Sequence, residues 1–182
     1  MAYQAELWLI LQDCEYKQVW DKIYSEFHFN PTNAVNGLPT FKFHMPVNTY
    51  DISDSPIYKD DESINAIIKS AFIECMSVDD FMYALDWQHT CFRYNPRINT
   101  FLDYPVFVKY DDPIKNNHVN WEGYNVYFPK FYPNGDFYFF IAKNFRWGYL
   151  THPWLKKVWI FGDRLMTLIN SNSEKMGFVP YE

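Results

Sequence analysis

From Asp13 to Phe27 the apolar residues Tyr16, Val19, Trp20, Ile23 and Phe27 recur at i, i+3, i+4, i+7 spacing, which predicts an amphipathic helix with Asp13 as its N-cap. A second stripe of Ile64, Ile67, Ile68, Ala71, Phe72 and Cys75 follows Asp60 and Asp61, acids that suit the positive end of a helix dipole. Val78, Phe81, Met82 and Leu85 form a shorter apolar face behind Ser77 and Asp80, a capping-box spacing, and predict a brief third helix ending near Asp86. There the pattern changes. "WQHTCFRY" is aromatic and β-branched, reads as a strand, and is stopped by Pro96.

Elsewhere the chain reads as extended segments and turns. "NPTNAVNGLPT" has Pro, Gly and Asn in place of periodicity and predicts a surface loop before an extended stretch from Phe41 to Ile52. In the weakly patterned residues 97–123, "FLDYPVFVKY" suits an edge strand and "DDPIKNNHVNWEG" a polar loop. "YNVYFPKFY" and "DFYFFIA" flank Pro133-Asn134-Gly135 and predict a hairpin. Its second strand sets Phe137, Phe139 and Ile141 against Tyr138, Phe140 and Ala142, so both faces are apolar and the strand belongs in the middle of a covered sheet. "KVWIF" reads as a strand over Lys156 to Phe161, with a helix after Gly162 capped by Asp163, because a glycine inside one long helix costs about 1 kcal/mol. From Ser171 the periodicity is lost. The expected architecture is one α+β domain over residues 1–170, a largely antiparallel sheet of about four to six strands packed with helices, and a frayed tail over 171–182.

Composition narrows the function. Aromatic residues make up 21% of the 182, enough for a strongly packed single core and too many for a disordered chain. Sixteen Lys and Arg against 22 Asp and Glu give a net charge of -6, which disfavours a phosphate-tracking nucleic-acid surface and suits a more basic protein partner. Cys14, Cys75 and Cys91 are odd in number and lack Cys-x-x-Cys spacing, so neither a disulfide framework nor a thiolate metal clip is expected. The first residues carry Glu6 and no basic n-region, and nothing approaches a membrane span; a cytoplasmic protein is the simplest reading. No cofactor is indicated, and no oligomeric state follows.

Asp86, His89, Asp136 and His152 are the residues from separate segments with the chemistry of acid, base or metal ligand. In a continuous strand Asp86 and His89, three apart, point to opposite faces; they converge if the preceding helix runs through His89. His152 precedes Pro153, which favours extended geometry and a loop-tying role, and Asp136 follows the turn glycine, where its ordinary job is to accept backbone N–H groups. Arg93 and Arg97 are candidates for holding an anion, against the plainer reading of pairing with nearby acids. Cys91, two residues beyond His89, reads as a buried thiol more readily than an activated one. There is no Gly-x-Ser-x-Gly nucleophile motif and no glycine-rich phosphate loop. Trp121, Tyr124, Trp147 and Tyr149 flank the expected hairpin and are candidates for an exposed aromatic docking patch.

The blocks "ALDWQH", "FRYNP", "YPNGDFYFF", "HPW" and "FGDRL", in this order over roughly residues 15 to 170, resemble an uncharacterised bacterial family of unknown function. Its members carry Asp-Trp-Gln-His, Tyr-Pro-Asp-Gly-Asp and Gly-His-Pro-Trp blocks; here Asn134 stands for the Asp and Thr151 for the Gly. The resemblance implies a bacterial, cytoplasmic, single-domain protein and transfers no activity. Two functions are expected from the residues. The first is a non-enzymatic binding protein, immunity-like or regulatory, whose acidic surface and aromatics dock a basic protein. The alternative is a hydrolase or metal-binding enzyme using an Asp/His cleft.

Overall fold

A computed structural model describes residues 8–97, 106–116 and 119–181. In chain order the elements are β1 (Trp8–Ile10), α1 (Asp13–Glu26), β2 (Val47–Asp51), α2 (Glu62–Glu74), β3 (Met82–Asp86), β4 (Phe92–Tyr94), β5 (Val106–Asn116), β6 (Val119–Val126), β7 (Tyr138–Ala142), β8 (Gly148–His152), β9 (Lys157–Phe161), α3 (Asp163–Asn170), α4 (Ser173–Met176) and β10 (Val179–Pro180). Two 3-10 turns, Pro31–Asn36 and Pro56–Lys59, lie in the connections.

Among the described residues, eight strands form one sheet in the order β1-β4-β3-β7-β8-β9-β2-β10, and every adjacent pair is antiparallel. β7 is interior, as its two apolar faces require. Phe139 and Ile141 join a core with Val19, Trp20 and Ile23 of α1, while Phe140 and Ala142 join the opposite core with Ile64, Ile68 and Phe72 of α2 and Leu165 and Ile169 of α3. The result is an α+β domain in three layers. Each buried phenylalanine is worth about 1.5–3 kcal/mol of apolar transfer, so the aromatic excess is mostly spent in these two cores.

The helices at 13–26 and 62–74 lie where the 3.6-residue stripes place them. Asp61 caps α2 by accepting from the Ser63 and Ile64 N–H groups, whereas α1 begins behind Gln12 without a side-chain cap. The division of "KVWIFGDRL" into β9 and α3 falls at Gly162, whose φ of +92° and tight approach to Trp147 (2.4 Å from an added Cβ) exclude a larger residue.

Several expectations are overturned. The third helix does not form: Met82–Asp86 is fully buried and is paired by β4 on one side and β7 on the other, and Ser77–Asp80 closes as a turn with Asp80 N donating to Ser77 O at 3.2 Å. A short apolar run fits helix and buried strand alike, and the two waiting strand edges decide it. The hairpin around Pro133-Asn134-Gly135 does not form either, because β3 and β8 occupy both edges of β7, and β6 pairs instead with β5 in a separate two-stranded ribbon bulged between Lys109 and Ile114. The polar stretch read as a loop therefore supplies strand, and the main sheet is wider than anticipated, with β8 not foreseen at all. The tail does not fray: Met176 and Phe178 are buried, Ser55 Oγ donates to the Met176 carbonyl, and β10 extends the sheet at β2.

Candidate functional site

β3 ends at Asp86, and the chain turns at once into β4. His89 N donates to the Asp86 carbonyl at 3.1 Å, and Gln88 takes a left-handed φ of 65°, so residues 86–89 form a tight turn in place of either a continuing strand or a helix. The turn folds His89 back over the strand end, with its Nδ1 3.1 Å from Asp86 Oδ1. Asp136 enters from the other side. The register pairs Asp86 with Tyr138, which sets the residues just before β7 opposite the turn, and Asp136 Oδ2 lies 3.3 Å from the same His89 Nδ1. Asp136 Oδ1 accepts from the Phe137 N–H at 2.8 Å, so one oxygen pins the backbone while the other faces the imidazole.

One donor atom from each of Asp86, His89 and Asp136 lies within 4.8 Å of the others. His89 is exposed, its side chain 62% accessible, whereas that of Asp86 is only 12% accessible. Asp86 and His89 line a cleft of about 520 Å³ whose walls include Tyr16, Tyr124, Tyr127, Tyr138, Gln88 and Asn125. Sequence reasoning passed over Tyr138 and Tyr16 because each sits in an apolar periodicity that assigns it to packing.

Burial pushes the Asp86 carboxyl up to about 6, the Asp136 charge adding to the effect and the His89 contacts opposing it. Burial likewise raises Asp136, offset in part by its Phe137 hydrogen bond and by His89. For His89 partial burial works against the charged ring, but the hydrogen bond and charge of Asp86, then the charge of Asp136, outweigh it and raise the imidazole. Tyr138 is driven to about 12 by burial and then by the two carboxylates. Two carboxylates thus share one imidazole, and among the described residues no lysine or arginine lines the cleft.

His152 does not join this group. It is fully buried in β8, with Nε2 3.1 Å from Thr40 Oγ1 and Nδ1 accepting from the Leu155 N–H at 3.2 Å, and it packs against Phe137, Trp154 and Trp159. Both ring nitrogens are used, so it ties the strand end to the turn after it. Thr151 lies in β8 beside it, its hydroxyl accepting from the Tyr138 N–H at 3.1 Å and donating to the Tyr138 carbonyl at 2.9 Å. Cys91 is buried, and burial pushes its thiol up to about 12, which removes it as a nucleophile.

The arginines are committed to the fold rather than to an anion. Arg93 Nε lies 2.9 and 3.0 Å from the two Glu15 carboxylate oxygens, joining β4 to α1. Arg97 donates to the Ser77, Ile73 and Met76 carbonyls at 2.9, 2.7 and 2.7 Å, closing the C-terminal end of α2. The aromatic docking patch is also dispersed: Trp147 is 8% exposed and stacks on Phe72, and Tyr149 is fully buried with its hydroxyl donating to the Phe131 carbonyl. Both were placed beside hairpin loops that do not exist. Tyr124 lies in the cleft wall 5.4 Å from Tyr110, and the Trp121 side chain falls outside the described residues.

An antiparallel sheet covered by helices on both faces, with a carboxylate–histidine cluster at one strand end, defines the class as a single-domain α+β protein with a candidate polar site. By sequence the chain belongs to the family described as "Protein of unknown function (DUF2716)", which matches residues 10–166 and so spans all three residues of the cluster. It is similar to the "Uncharacterized protein YxiI" of Bacillus subtilis (strain 168), 23% identical over 177 residues, with 91% of this chain and 93% of that protein covered. No solved structure matches the chain. No helix among the described residues is long and apolar enough to cross a membrane.

Proposed function

We propose that Asp86, His89 and Asp136 form a metal centre and that the chain is a metal-dependent hydrolase acting on an uncharged polar substrate. The observation that carries the reading is the approach of two carboxylate oxygens to one exposed imidazole nitrogen, at 3.1 and 3.3 Å, on the wall of an open cleft. A tetrahedral ion with bonds of about 2.0–2.1 Å sets its ligand atoms roughly 3.3–3.4 Å apart, close to these separations. Three protein ligands, of which Asp86 and His89 line the cleft, leave a position for water, the arrangement of catalytic rather than structural sites. An ion held by Asp86, His89 and Asp136 would offset the repulsion between the carboxylates and would supply the Lewis acidity that lowers the pKa of a bound water. The tyrosines and amides around it suit an uncharged polar substrate, because among the described residues no lysine or arginine lines the cleft to hold a phosphate or carboxylate group.

Calorimetric titration with Mn²⁺, followed by hydrolysis assays on uncharged esters and amides, tests the proposal. One ion per chain lost in Asp86→Asn and His89→Ala, with turnover lost in parallel, supports it. Binding that survives both substitutions refutes the centre, and an ion-loaded protein without turnover refutes the hydrolase.

The reading as a non-enzymatic docking protein for a basic partner keeps the acidic charge of the chain and the exposed ring of Trp154 in its favour. It loses Trp147 and Tyr149, the buried half of its aromatic patch. Co-purification of a basic protein released by a Trp154→Ala substitution is the result that would restore it.

A further inference from the structure

The chain beyond α1 doubles back on itself, and the return places two histidines side by side. Asn30 N donates to the Thr40 carbonyl and Lys42 N to the Phe27 carbonyl, both at 2.8 Å, so segments 27–30 and 40–42 run against each other as an irregular ribbon. Phe29 stacks on Phe41 at 5.3 Å and Phe27 meets Phe43 at 5.7 Å, which anchors the ribbon on the aromatic core. The alternation then turns His28 and His44 to solvent. His28 has a left-handed φ of 46°, an uncommon backbone for a non-glycine residue, held here by the flanking rungs. The two Nε2 atoms are 2.9 Å apart and the rings stand nearly perpendicular, at 78°.

We propose that His28 and His44 form a second cation site, one selective for ions that prefer imidazole nitrogen, Cu²⁺ or Zn²⁺, over oxygen-seeking Mg²⁺, Ca²⁺ or Mn²⁺. As neutral rings at this separation, one Nε2 carries the proton and the other accepts it. For an ion to take both lone pairs the donor ring changes tautomer, its proton passing through water from Nε2 to Nδ1, so that both rings bind as neutral imidazoles. The nitrogens need open only from 2.9 Å to roughly 3.3 Å to become neighbouring ligands of such an ion. The backbone rungs and the phenylalanines beneath hold the rings close beforehand, so little ordering is left for the ion to impose. Waters complete the coordination at an exposed pair. The site is separate from the Asp86 cluster in its residues and its ligand chemistry, and it stands whether or not that cluster binds metal.

Copper titration followed by electron paramagnetic resonance tests the proposal on the full chain carrying Asp86→Asn and His89→Ala, which removes the other candidate ligands. The expected result is one Cu²⁺ per chain with coupling to two nitrogens. His28→Asn, chosen because Asn tolerates a left-handed backbone, and His44→Gln should each weaken binding at least tenfold and leave coupling to one nitrogen. Mn²⁺ should not bind this background. Copper binding unchanged by both substitutions, or coupling to a single nitrogen before either is made, overturns the site. Circular dichroism of each variant separates lost ligands from a lost fold.

Discussion

Trp87 donates its backbone N–H to the Phe137 carbonyl at 3.1 Å, one rung beyond the paired residues of β3 and β7. That rung carries Asp136 alongside the turn that holds Asp86 and His89. The Trp87 side chain fixes the same corner, its Nε1 donating to Tyr24 Oη of α1 at 3.1 Å and its ring meeting Phe137 edge-on. The cluster is thus a consequence of sheet register, and it is held by packing against α1.

Asp86→Asn should stabilise the protein at pH 8 while removing Mn²⁺ binding at the Asp86–His89–Asp136 cluster. The Asp86 carboxyl sits at about 6 against an ordinary 3.8, so between these values the folded chain keeps a proton that the unfolded chain has released. Stability contributed by this group is therefore lost as pH rises through that window. Asn carries no charge and escapes the loss, for a gain on the order of 1–3 kcal/mol at pH 8 that shrinks towards pH 4. Urea unfolding at both pH values measures it. An equal effect at the two would show that Asp86 is ionised in the fold at no cost.

His152→Ala should destabilise without touching the cleft. It leaves a cavity and strands the Thr40 and Leu155 partners, at a cost of about 2–4 kcal/mol at pH 7. Burial holds His152 at about 4, below its ordinary 6.5, so in that window the unfolded chain takes up a proton that the folded chain does not. Stability from the neutral imidazole is full above 6.5 and is lost as pH falls towards 4, and the penalty of the substitution should fall with it. Metal affinity equal to wild type is expected; a lowered affinity would return His152 to the site.

How much of this was legible in the sequence depends on where the deciding contacts lie. The stripes of α1 and α2 and the two apolar faces of β7 are local, and they mark the α+β class. Met82–Asp86 is not decided locally: its run suits helix or strand until β4 and β7 arrive, and misreading it carried the Asp86–His89 geometry with it. Asp86, His89 and Asp136 were recognisable by chemistry, yet their meeting depends on the Gln88 backbone and on the β3–β7 register. His152 carries the same chemistry and is diverted by Thr40, a partner 112 positions away.

Arg97→Met should cost about 1–2 kcal/mol, because three carbonyls at the end of α2 lose a charged donor. Phosphate at a few millimolar should leave the wild-type Tm where it is. A rise in Tm that disappears in the variant would reassign this arginine to anion binding.

Thiol labelling with a disulfide reagent at pH 8 should modify exposed Cys14 quickly and spare Cys91, which is buried with its thiol driven to about 12. Rapid Cys91 labelling in folded protein would mean that the Asp86–Cys91 loop opens readily.

Anomalous diffraction from crystals grown with Mn²⁺ examines the metal centre most directly. One strong peak is expected about 2.0–2.2 Å from His89 Nδ1 and from one carboxylate oxygen each of Asp86 and Asp136. Saturating ion with no peak among these three residues, or His89 still hydrogen-bonded between the two carboxylates, would contradict it.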